Sequence, residues 1–480
     1  MRVLSVVSEL YPFVKTGGLA DVAGALPPAL RGHGIDMRSL LPAYPSVVAR
    51  TGWGEVVHHW PDYYGGEARL RRLEAEGHRL FLLDAPHLYD RPGGPYTDPA
   101  GVDHPDNWRR FAALSRAGAD LARGLIFDFR PDIVHAHDWQ TALTAAFVHY
   151  DGTPSASVVT LHNLAFQGQF DAGIFPALGL PPDAFSIHGV EYYGGVGFLK
   201  AGLKLATGIT AVSPTYAEEI RTPEGGMGLA GLLSDRVDDL CGIVNGIDAA
   251  AWDPASDPHL PSRFTADDRP ARQVNRRALE ARFGLDADDA PIFSVVSRLT
   301  WQKGIDLLAE TADHLVGLGA KLAVLGTGDP GLEHAFREAA TRHPGRIGTV
   351  IGYDEPLAHL LQGGADAILV PSRFEPCGLT QLYGLRYGSV PVVARVGGLA
   401  DTVIDANHAA LVAGVATGIQ FSPVDVPALR KAIRRAVHLY HSPGIWTRLR
   451  REGMKADVSW DHSAADYAAL YRDLLDRSRR

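Results

Sequence analysis

The chain has 480 residues, a formal charge of −9 and only two cysteines, Cys241 and Cys377. Its length exceeds what one hydrophobic core usually serves, so two domains are expected. Acidic and basic residues are interspersed, which excludes a basic face for nucleic acid or an anionic membrane, and the two distant cysteines exclude a disulfide framework. An anionic ligand would need a local cluster of cations.

The first twelve residues, MRVLSVVSELYP, contain an apolar run that is too short for a signal peptide and has no small-residue cleavage pattern. No later stretch approaches the length and apolarity of a membrane span. We therefore expect a soluble, cytosolic protein with reduced thiols.

The stretch KTGGLADV, residues 15–22, follows the apolar residues 3–7. This order predicts a strand, a tight turn at Gly17 and Gly18, and a helix from about Leu19, which would direct backbone N–H groups at an anion. It lacks the glycine spacing of a dinucleotide fingerprint and the GK[ST] ending of a P-loop. The alternative is a glycine turn that the backbone geometry requires, with Lys15 in solvent.

Short β-branched runs alternate with helical stretches along both halves of the chain. They are RVLSVVS (2–8), PDIVHAHDW (131–139), ASVVTLHN (156–163), GITAVSP (208–214) and CGIVNG (241–246), then PIFSVVSRL (291–299), KLAVLGTGD (321–329), RIGTVIGY (346–353), AILVPS (367–372) and VPVVARV (390–396). Runs that are apolar on both faces indicate parallel strands covered by helices. We predict two doubly wound α/β domains that face each other across a cleft, with the functional loops at the carboxyl ends of the strands.

The composition changes after residue 248, where we place the domain boundary, so that the domains cover residues 1–248 and 249–458. The polar stretch 253–277 is predicted to be a connection that leads into a helix at about 274–283. Residues 461–477 carry apolar side chains at helical spacing, including Tyr467 and Tyr471, and predict a packed amphipathic helix.

Three stretches of the second half are candidate ligand loops. In SRLTWQKG (297–304), Arg298 and Lys303 precede a helix predicted near Ile305, and two fixed cations suit a diphosphate; the alternative is ordinary surface charge. VLGTGDPG (324–331) has a GxG turn, which is common between strands and helices and is a weak signal.

The third stretch begins at PSRFEPCGLT, residues 371–380. Glu375 follows a strand and can accept hydrogen bonds from sugar hydroxyls, while the backbone N–H groups of 377–380 begin a helix and can bind a phosphate. Alternatively, Glu375 pairs with Arg373 or Arg395. We interpret Cys377 as a packing residue and not as a nucleophile.

In the first half, His135 and His137 share one face of a strand, but the sequence offers no third ligand, so we predict core histidines and no metal site. Asp138 and His162 each come directly after a strand, where a polar side chain can reach a sugar hydroxyl.

Together these residues resemble the bacterial glycogen synthases, which use ADP-glucose, and the related plant starch synthases. The stretches that carry the resemblance are KTGGLADV, LLPAYPSV, DAPHLYDRPGGPY, DIVHAHDWQTAL, LHNLAFQG, FLKAGL, VSPTYAEEI, GMGL, NGIDAAAWDPASDP, SRLTWQKG, the Glu375 loop and SWDHSAADYAALY. The chain departs from the commoner family forms at EYYGG (191–195) and EGGMGL (224–229), and it has arginines where relatives often have lysines within 269–285.

The resemblance implies a GT-B fold of two Rossmann-like domains, with the C-terminal helix, residues 459–480, crossing back onto the first. It implies transfer of glucose from ADP-glucose to the nonreducing end of an α-1,4-glucan such as glycogen, with retention of the α configuration and with no cofactor. The implied diphosphate contacts are Lys15, Gly18, Arg298 and Lys303, with Asp21 near the nucleotide or acceptor. The implied glucose contacts are Asp138, His162, Asn245 and Glu375, joined by Tyr96 and Asn163 near the sugar, Tyr353 near adenine, and the backbone amides of Cys377, Gly378, Leu379 and Thr380.

Two questions stay open at this level. Retention allows either a same-face attack assisted by the departing phosphate, with the His162 carbonyl beside the sugar cation, or a double displacement. The alternative functions are another GT-B glucosyltransferase, of the UDP-glucose, sucrose or trehalose type, and a non-catalytic binder of glucan or nucleotide.

Overall fold

The computed structural model describes residues 1–478, which form two compact units. Unit 1 consists of Met1–Asn245 and the C-terminal helix, and unit 2 consists of Gly246–Ser459. The strands are β1 (Arg2–Val6), β2 (Asp36–Pro42), β3 (Glu55–Trp60), β4 (Ala68–Ala75), β5 (His78–Asp84), β6 (Ile133–His137), β7 (Ala156–Leu161), β8 (Gln169–Phe170), β9 (Glu191–Tyr192), β10 (Gly195–Gly197), β11 (Gly208–Ala211), β12 (Leu240–Gly242), β13 (Ile292–Val296), β14 (Lys321–Gly326), β15 (Ile347–Ile351), β16 (Ala367–Val370), β17 (Val390–Ala394) and β18 (Ile419–Phe421).

The helices complete the chain order. They are α1 (Gly18–Leu30), α2 (Pro45–Thr51), α3 (Pro86–Tyr89), α4 (Asn107–Arg123), α5 (Asp138–Tyr150), α6 (Phe198–Leu205), α7 (Pro214–Glu219), α8 (Ala230–Asp235), α9 (Arg269–Phe283), α10 (Ile305–Ala309), α11 (Ala312–Gly317), α12 (Pro330–Arg342), α13 (Glu355–Gly364), α14 (Thr380–Tyr387), α15 (Gly397–Thr402), α16 (His408–Ala413), α17 (Val426–Tyr440), α18 (Pro443–Lys455) and α19 (Trp460–Ser478). No helix within residues 1–478 is long and apolar enough to cross a bilayer.

Unit 1 is built on a large twisted sheet with the strand order β12-β11-β7-β6-β1-β2-β5-β4-β3. The strands from β12 to β5 run parallel, whereas β4 and β3 are antiparallel additions at one edge. The central strands are buried along their whole length, as in β6 and β7, because helices cover both faces. This arrangement confirms the predicted α/β class for the first half.

The C-terminal helix α19 belongs to the core of unit 1. The side chains of Tyr467 and Tyr471 are fully buried, Leu474 is 1% exposed, and they pack with Val22 and Val158. Burial of each such side chain contributes roughly 1.5–3 kcal/mol. The Tyr471 hydroxyl also lies 2.7 Å from His135 Nδ1 of β6, so the last helix fixes part of the sheet beneath the candidate site.

Unit 2 has an all-parallel sheet with the order β15-β14-β13-β16-β17-β18. Its core contains the apolar faces of β13, β14 and β17 together with α17. The helix predicted at 274–283 is α9, which begins five residues earlier, at Arg269. Asp268 accepts a hydrogen bond from the Ala271 backbone, and Pro270 lies in the first turn, where a missing N–H costs nothing, so the polar stretch starts a helix.

Candidate functional site

The candidate residues of each unit lie in loops at the carboxyl ends of neighbouring parallel strands. In unit 1, β1 lies between β6 and β2, and Asp138 and His162 directly follow β6 and β7. In unit 2, β13 lies between β14 and β16, and the loops after β13 and β16 carry Lys303 and Glu375. In both sheets the strand order reverses at the first strand, which is the position where open α/β sheets bind ligands.

The Lys15 loop of unit 1 is held by a buried carboxylate that sequence reasoning missed. Glu9 is 3% exposed and accepts hydrogen bonds from the Thr16 backbone, from Thr16 Oγ1 at 2.5 Å and from the Gly17 backbone at 3.2 Å. It also accepts from the Tyr96 hydroxyl, which lies 2.9 Å from Ser8 Oγ. Glu9 therefore fixes both Tyr96 and the entry to α1.

Gly17 and Gly18 are not required by the backbone of this loop. Gly17 has an extended conformation, with φ −156° and ψ −169°, and Gly18 is the first residue of the helix α1. A Cβ atom at either position would meet nothing within 4 Å. The alternative of a glycine turn forced by geometry is therefore wrong here, and the open space suits a group that approaches the helix N-terminus from outside.

Lys15 and Asp21 form an ion pair at the same helix start. Lys15 Nζ lies 2.7 Å from Asp21 Oδ1, and the side chains are 36% and 23% exposed. The ammonium also lies 5.4 Å from the centre of the Tyr11 ring. Eleven residues separate β1 from this helix start, so the turn does not follow the strand as directly as predicted.

Asp138 joins the ends of β6 and β7. Its Oδ1 accepts hydrogen bonds from the His162 backbone at 2.7 Å and from the Asn163 backbone at 3.3 Å. The residue is 7% exposed and has φ +55°, a conformation that non-glycine residues rarely adopt and that tends to occur at functional sites. Burial raises the pKa of Asp138 to about 7, although both backbone hydrogen bonds oppose the rise.

The His162 ring, which is half-buried, continues a chain of imidazoles from the fully buried His137 and His135. Its Nε2 lies 3.0 Å from His137 Nδ1, and His137 Nε2 lies 3.3 Å from Ser5 Oγ on β1. His135 stacks on His137 with a centroid distance of 4.1 Å and hydrogen-bonds Thr160. Burial lowers the pKa of His135 and His162 to about 3, so these rings are neutral near pH 7.

His135 and His137 are fully buried core residues whose ring nitrogens face protein groups, as predicted. Within residues 1–478 there is no cluster of three histidine, cysteine, aspartate or glutamate side chains arranged to hold a metal ion. The histidine pair packs in the core, and His137 contacts the His162 ring.

In unit 2 the structure brings Lys303 and Glu375 together. Lys303 Nζ donates to Glu375 Oε2 at 2.6 Å, and the buried Ser372 hydroxyl donates to the same oxygen at 2.9 Å. The predicted alternative pairing of Glu375 with Arg373 is wrong, because Arg373 makes two 2.7 Å bonds to Asp306. The carboxylate is thus oriented through one oxygen.

Arg298 lies in the same loop as Lys303, and its side chain is exposed. The helix that follows, α10, has five residues, so its dipole is weak and the two cations supply the positive charge. Gly304 has φ +65°, and a Cβ there would lie 1.9 Å from the Pro371 carbonyl oxygen. This close approach sets the Lys303 loop against the strand end that leads to Glu375.

The segment from Cys377 to Thr380 leads into α14, and contacts with Gln381 and Gly398 fix its backbone. Gln381 Nε2 donates to the carbonyl oxygens of Cys377 and Gly378 at 3.0 and 2.9 Å. A Cβ on Gly398 would lie 2.3 Å from the Cys377 carbonyl oxygen, so a larger residue would displace the loop. Cys377 is 4% exposed, which agrees with a packing role.

The two predicted residues that remain are Asn245 and Tyr353. Asn245 is 7% exposed, and its Oδ1 has no hydrogen-bond partner among residues 1–478. A buried acceptor without a partner is costly, so it is typical of a position that a ligand completes. Tyr353 is 78% exposed, and its hydroxyl donates to Glu355 at 3.0 Å.

Several supporting residues escaped the sequence analysis, including Glu9, Ser372, Gln381 and Gly398. Their roles depend on contacts between distant loops, which spacing along the chain does not reveal. One signal was available: the double glycine at 397–398 lies at a predicted strand-to-helix turn, where a close backbone approach is common.

Comparison with known proteins links both units to enzymes that act on sugars. The family described as starch synthase catalytic domain matches residues 2–235, and the family described as glycosyl transferases group 1 matches residues 278–449. A glycogen synthase of Mesorhizobium japonicum is 61% identical over 480 residues, which covers 99% of each protein. A glycogen synthase of Rhizobium johnstonii is 58% identical over 478 residues, which covers 99% of this chain and 100% of that protein.

Among solved structures, the catalytic domain of starch synthase IV from Arabidopsis thaliana, bound to ADP and acarbose, is similar along the whole chain. The TM-score is 0.87 at 30% sequence identity, and the match covers 99% of this chain and 99% of that one.

Proposed function

Because the chain belongs to the glycogen synthase family, we propose that it transfers glucose from ADP-glucose to the nonreducing end of an α-1,4-glucan and retains the α configuration. The chain has the GT-B fold and is a glycosyltransferase with a nucleotide-sugar donor and a glucan acceptor. We place the reaction in the cytoplasm, without a cofactor and without a nucleic-acid or membrane partner.

The observation that carries the proposal in this chain is the Lys303–Glu375 pair. A lysine held 2.6 Å from a carboxylate whose other contact is a buried serine has a fixed position. In our proposal Lys303 and Arg298 neutralise the negative charge that grows on the diphosphate as the C1–O bond to glucose breaks. Glu375 then accepts hydrogen bonds from glucose hydroxyls through Oε1.

Unit 1 is proposed to contact the donor and acceptor sugars through Asp138, His162 and Asn163. A neutral His162 ring can hydrogen-bond a hydroxyl without adding positive charge beside the sugar cation, and its low pKa keeps it neutral. Lys15 and the Gly18 amide are proposed to bind the diphosphate, since the space beside that helix start is open.

The reaction breaks the bond between glucose C1 and the phosphate oxygen and forms a bond from C1 to O4 of the acceptor. The acceptor O4 proton leaves with the diphosphate in a same-face attack. We favour that route over a double displacement because Glu375, the candidate carboxylate in unit 2, already accepts hydrogen bonds from Lys303 and Ser372 on Oε2.

A donor assay tests the proposal. The protein is incubated with glycogen and either ADP-glucose or UDP-glucose labelled in the sugar, and the polymer is then recovered. We expect ADP-glucose to be the better donor and the label to be released by α-amylase, which cleaves α-1,4 bonds. Label incorporated only from UDP-glucose, or label resistant to α-amylase, would contradict the proposal.

A further inference from the structure

The two candidate loops of unit 2 are joined by hydrogen bonds to the backbone. β13 and β16 are neighbouring parallel strands, and the loops that follow them carry Lys303 and Glu375. The Arg373 backbone N–H donates to the Gln302 carbonyl oxygen at 2.9 Å, and Gln302 Nε2 donates to the Phe374 carbonyl oxygen at 3.4 Å. The residues that directly precede the pair therefore lie against each other.

The Arg373 side chain completes the junction between the loops. Its Nη1 donates to the Trp301 carbonyl oxygen and to Asp306 Oδ1, and its Nη2 donates to Asp306 Oδ2, each at 2.7 Å. The Trp301 carbonyl oxygen also accepts from the Gly304 backbone at 3.0 Å, which closes the turn that contains Lys303. One guanidinium thus holds this turn and the first turn of α10 together.

The Trp301 ring packs on the same guanidinium. The guanidinium carbon of Arg373 lies 4.4 Å from the ring centre, which is within the range of a cation–π contact. Trp301 itself is 62% exposed, so its ring contributes little to the core. A planar guanidinium can stack on a ring and donate hydrogen bonds in its own plane at the same time, which a lysine ammonium cannot do. We call Arg373, Trp301 and Asp306 the Arg373 clamp.

The charge of Arg373 is paired within the clamp. Its two bonds to Asp306 form a bidentate ion pair, and these bonds lower the pKa of the Asp306 carboxyl group, which therefore stays charged at neutral pH. A guanidinium that donates to a carboxylate and to a backbone carbonyl is already oriented by the protein. Such contacts suit a residue that holds two loops together better than one that binds a diphosphate directly.

We propose that Arg373 is a positioning residue, which fixes Lys303 relative to Glu375 without touching the substrate. The inference rests on the proposed function, because it takes the roles of Lys303 and Glu375 from it. A displacement of about 1 Å in a reacting group can lower an enzymatic rate about 100-fold, so the geometry of the clamp is large enough to matter. Since the effect passes through Lys303, loss of Arg373 should lower kcat no more than loss of Lys303 does.

The first test compares Arg373→Ala, Arg373→Lys and Trp301→Ala with the unchanged chain. With ADP-glucose and glycogen, we expect kcat to fall about 30-fold in both Arg373 variants, because an ammonium cannot reproduce the planar fork. Trp301→Ala keeps the carbonyl acceptor and loses only the stacked ring, so kcat should fall about threefold. KM for glycogen should stay the same in all three. Full turnover by Arg373→Lys would overturn the proposal.

Chemical rescue separates positioning from a general loss of structure. Guanidinium ion at millimolar concentration should raise the kcat of Arg373→Ala about tenfold, whereas methylammonium, which has the same charge without the fork, should not. Absence of rescue in a variant with an unchanged melting temperature would overturn the proposal. If Arg373→Ala does not fold, Asp306→Asn takes its place; it should lower kcat about tenfold, and an unchanged kcat would again overturn the proposal.

A double variant identifies the residue through which Arg373 acts. In the Lys303→Ala background, Arg373→Ala should lower kcat by less than about threefold further. Losses that multiply would show that Arg373 contributes independently of Lys303, which the proposal excludes. Arg435→Ala is the matched control, because Arg435 of α17 donates to both oxygens of Asp405, at 3.0 and 3.1 Å, outside the two loops. It should leave kcat unchanged, with or without guanidinium.

Binding of ADP, measured by titration calorimetry without glycogen, separates this proposal from the proposed function. The Kd for ADP should rise about tenfold in Arg373→Ala and recover with guanidinium. If the unchanged chain transfers glucose but Arg373→Ala binds ADP and turns over equally well, the clamp proposal fails alone. If the unchanged chain transfers no glucose, yet ADP binding depends on Arg373 and is rescued by guanidinium, the clamp is supported and the proposed transfer fails.

Discussion

Asp138→Asn isolates the cost of burying a carboxylate at the end of β6. The asparagine oxygen can still accept the backbone hydrogen bonds of His162 and Asn163, but it carries no charge. The pKa of Asp138 is raised by burial from 3.8 to about 7, so the native state holds this proton more tightly than the unfolded chain does. The stability that protonated Asp138 contributes to the native state is therefore complete below about pH 4 and is lost as the pH rises to about 7.

The size of the effect follows from that shift. A difference of about three pKa units corresponds to about 4 kcal/mol above pH 7, of which about 3 kcal/mol develops between pH 5 and pH 8. Over that range the gain in stability of Asp138→Asn over the unchanged chain should grow by this amount, which is about 6 °C in the melting temperature of a unit of this size. Transfer activity should fall at the same time, because the charged carboxylate orients the loop that we propose binds glucose.

Differential scanning calorimetry at several pH values between 5 and 8 measures this difference. Asp98→Asn is the matched control: Asp98 Oδ1 also accepts two backbone hydrogen bonds, from Ala100 at 2.8 Å and Val102 at 3.0 Å, but it is near solvent. Its melting temperature should follow that of the unchanged chain. A constant offset between Asp138→Asn and the unchanged chain across the pH range would refute the reasoning.

Three further outcomes are expected. Gly18→Ala should leave the melting temperature within about 1 °C, because the added methyl group meets no neighbour, and should raise KM for ADP-glucose about tenfold; an unchanged KM would remove Gly18 from the donor site. Lys303→Ala should lower kcat about 100-fold with an unchanged circular dichroism spectrum, whereas Lys455→Ala, which breaks an exposed pair with Glu452, should have no effect, and near-normal turnover of Lys303→Ala would contradict its role. EDTA should leave the rate unchanged, because side-chain cations neutralise the diphosphate; inhibition that magnesium reverses would count against this.

The glycine pair at 17–18 was hard to interpret from the sequence. The pattern KTGG is compatible with either a backbone requirement or a ligand, since both favour glycine. The structure separates the two, because the φ of Gly17 is negative and the space beside both glycines is open. By contrast, the backbone does require glycine at 304 and 398, since a Cβ at either position would lie too close to a carbonyl oxygen of another loop.

The sequence alone determined the fold class, because runs such as ASVVTLHN and PIFSVVSRL place apolar residues at both odd and even positions, which is typical of parallel strands covered on both faces. It also placed Asp138, His162 and Glu375 just beyond strand ends, since local order along the chain decides that. It did not reveal β3 and β4, whose polar residues at the edge of the sheet lack the same pattern.

Only the tertiary structure decided which partners these residues have. The pairing of Lys303 with Glu375, the hydrogen bonds from Glu9 to the Lys15 loop and the contact between Tyr471 and His135 join residues that lie up to 336 positions apart. Such contacts depend on how loops from different strands meet in three dimensions. Hydrophobic periodicity carries no information about that meeting, because it records only which side of its own element a residue occupies.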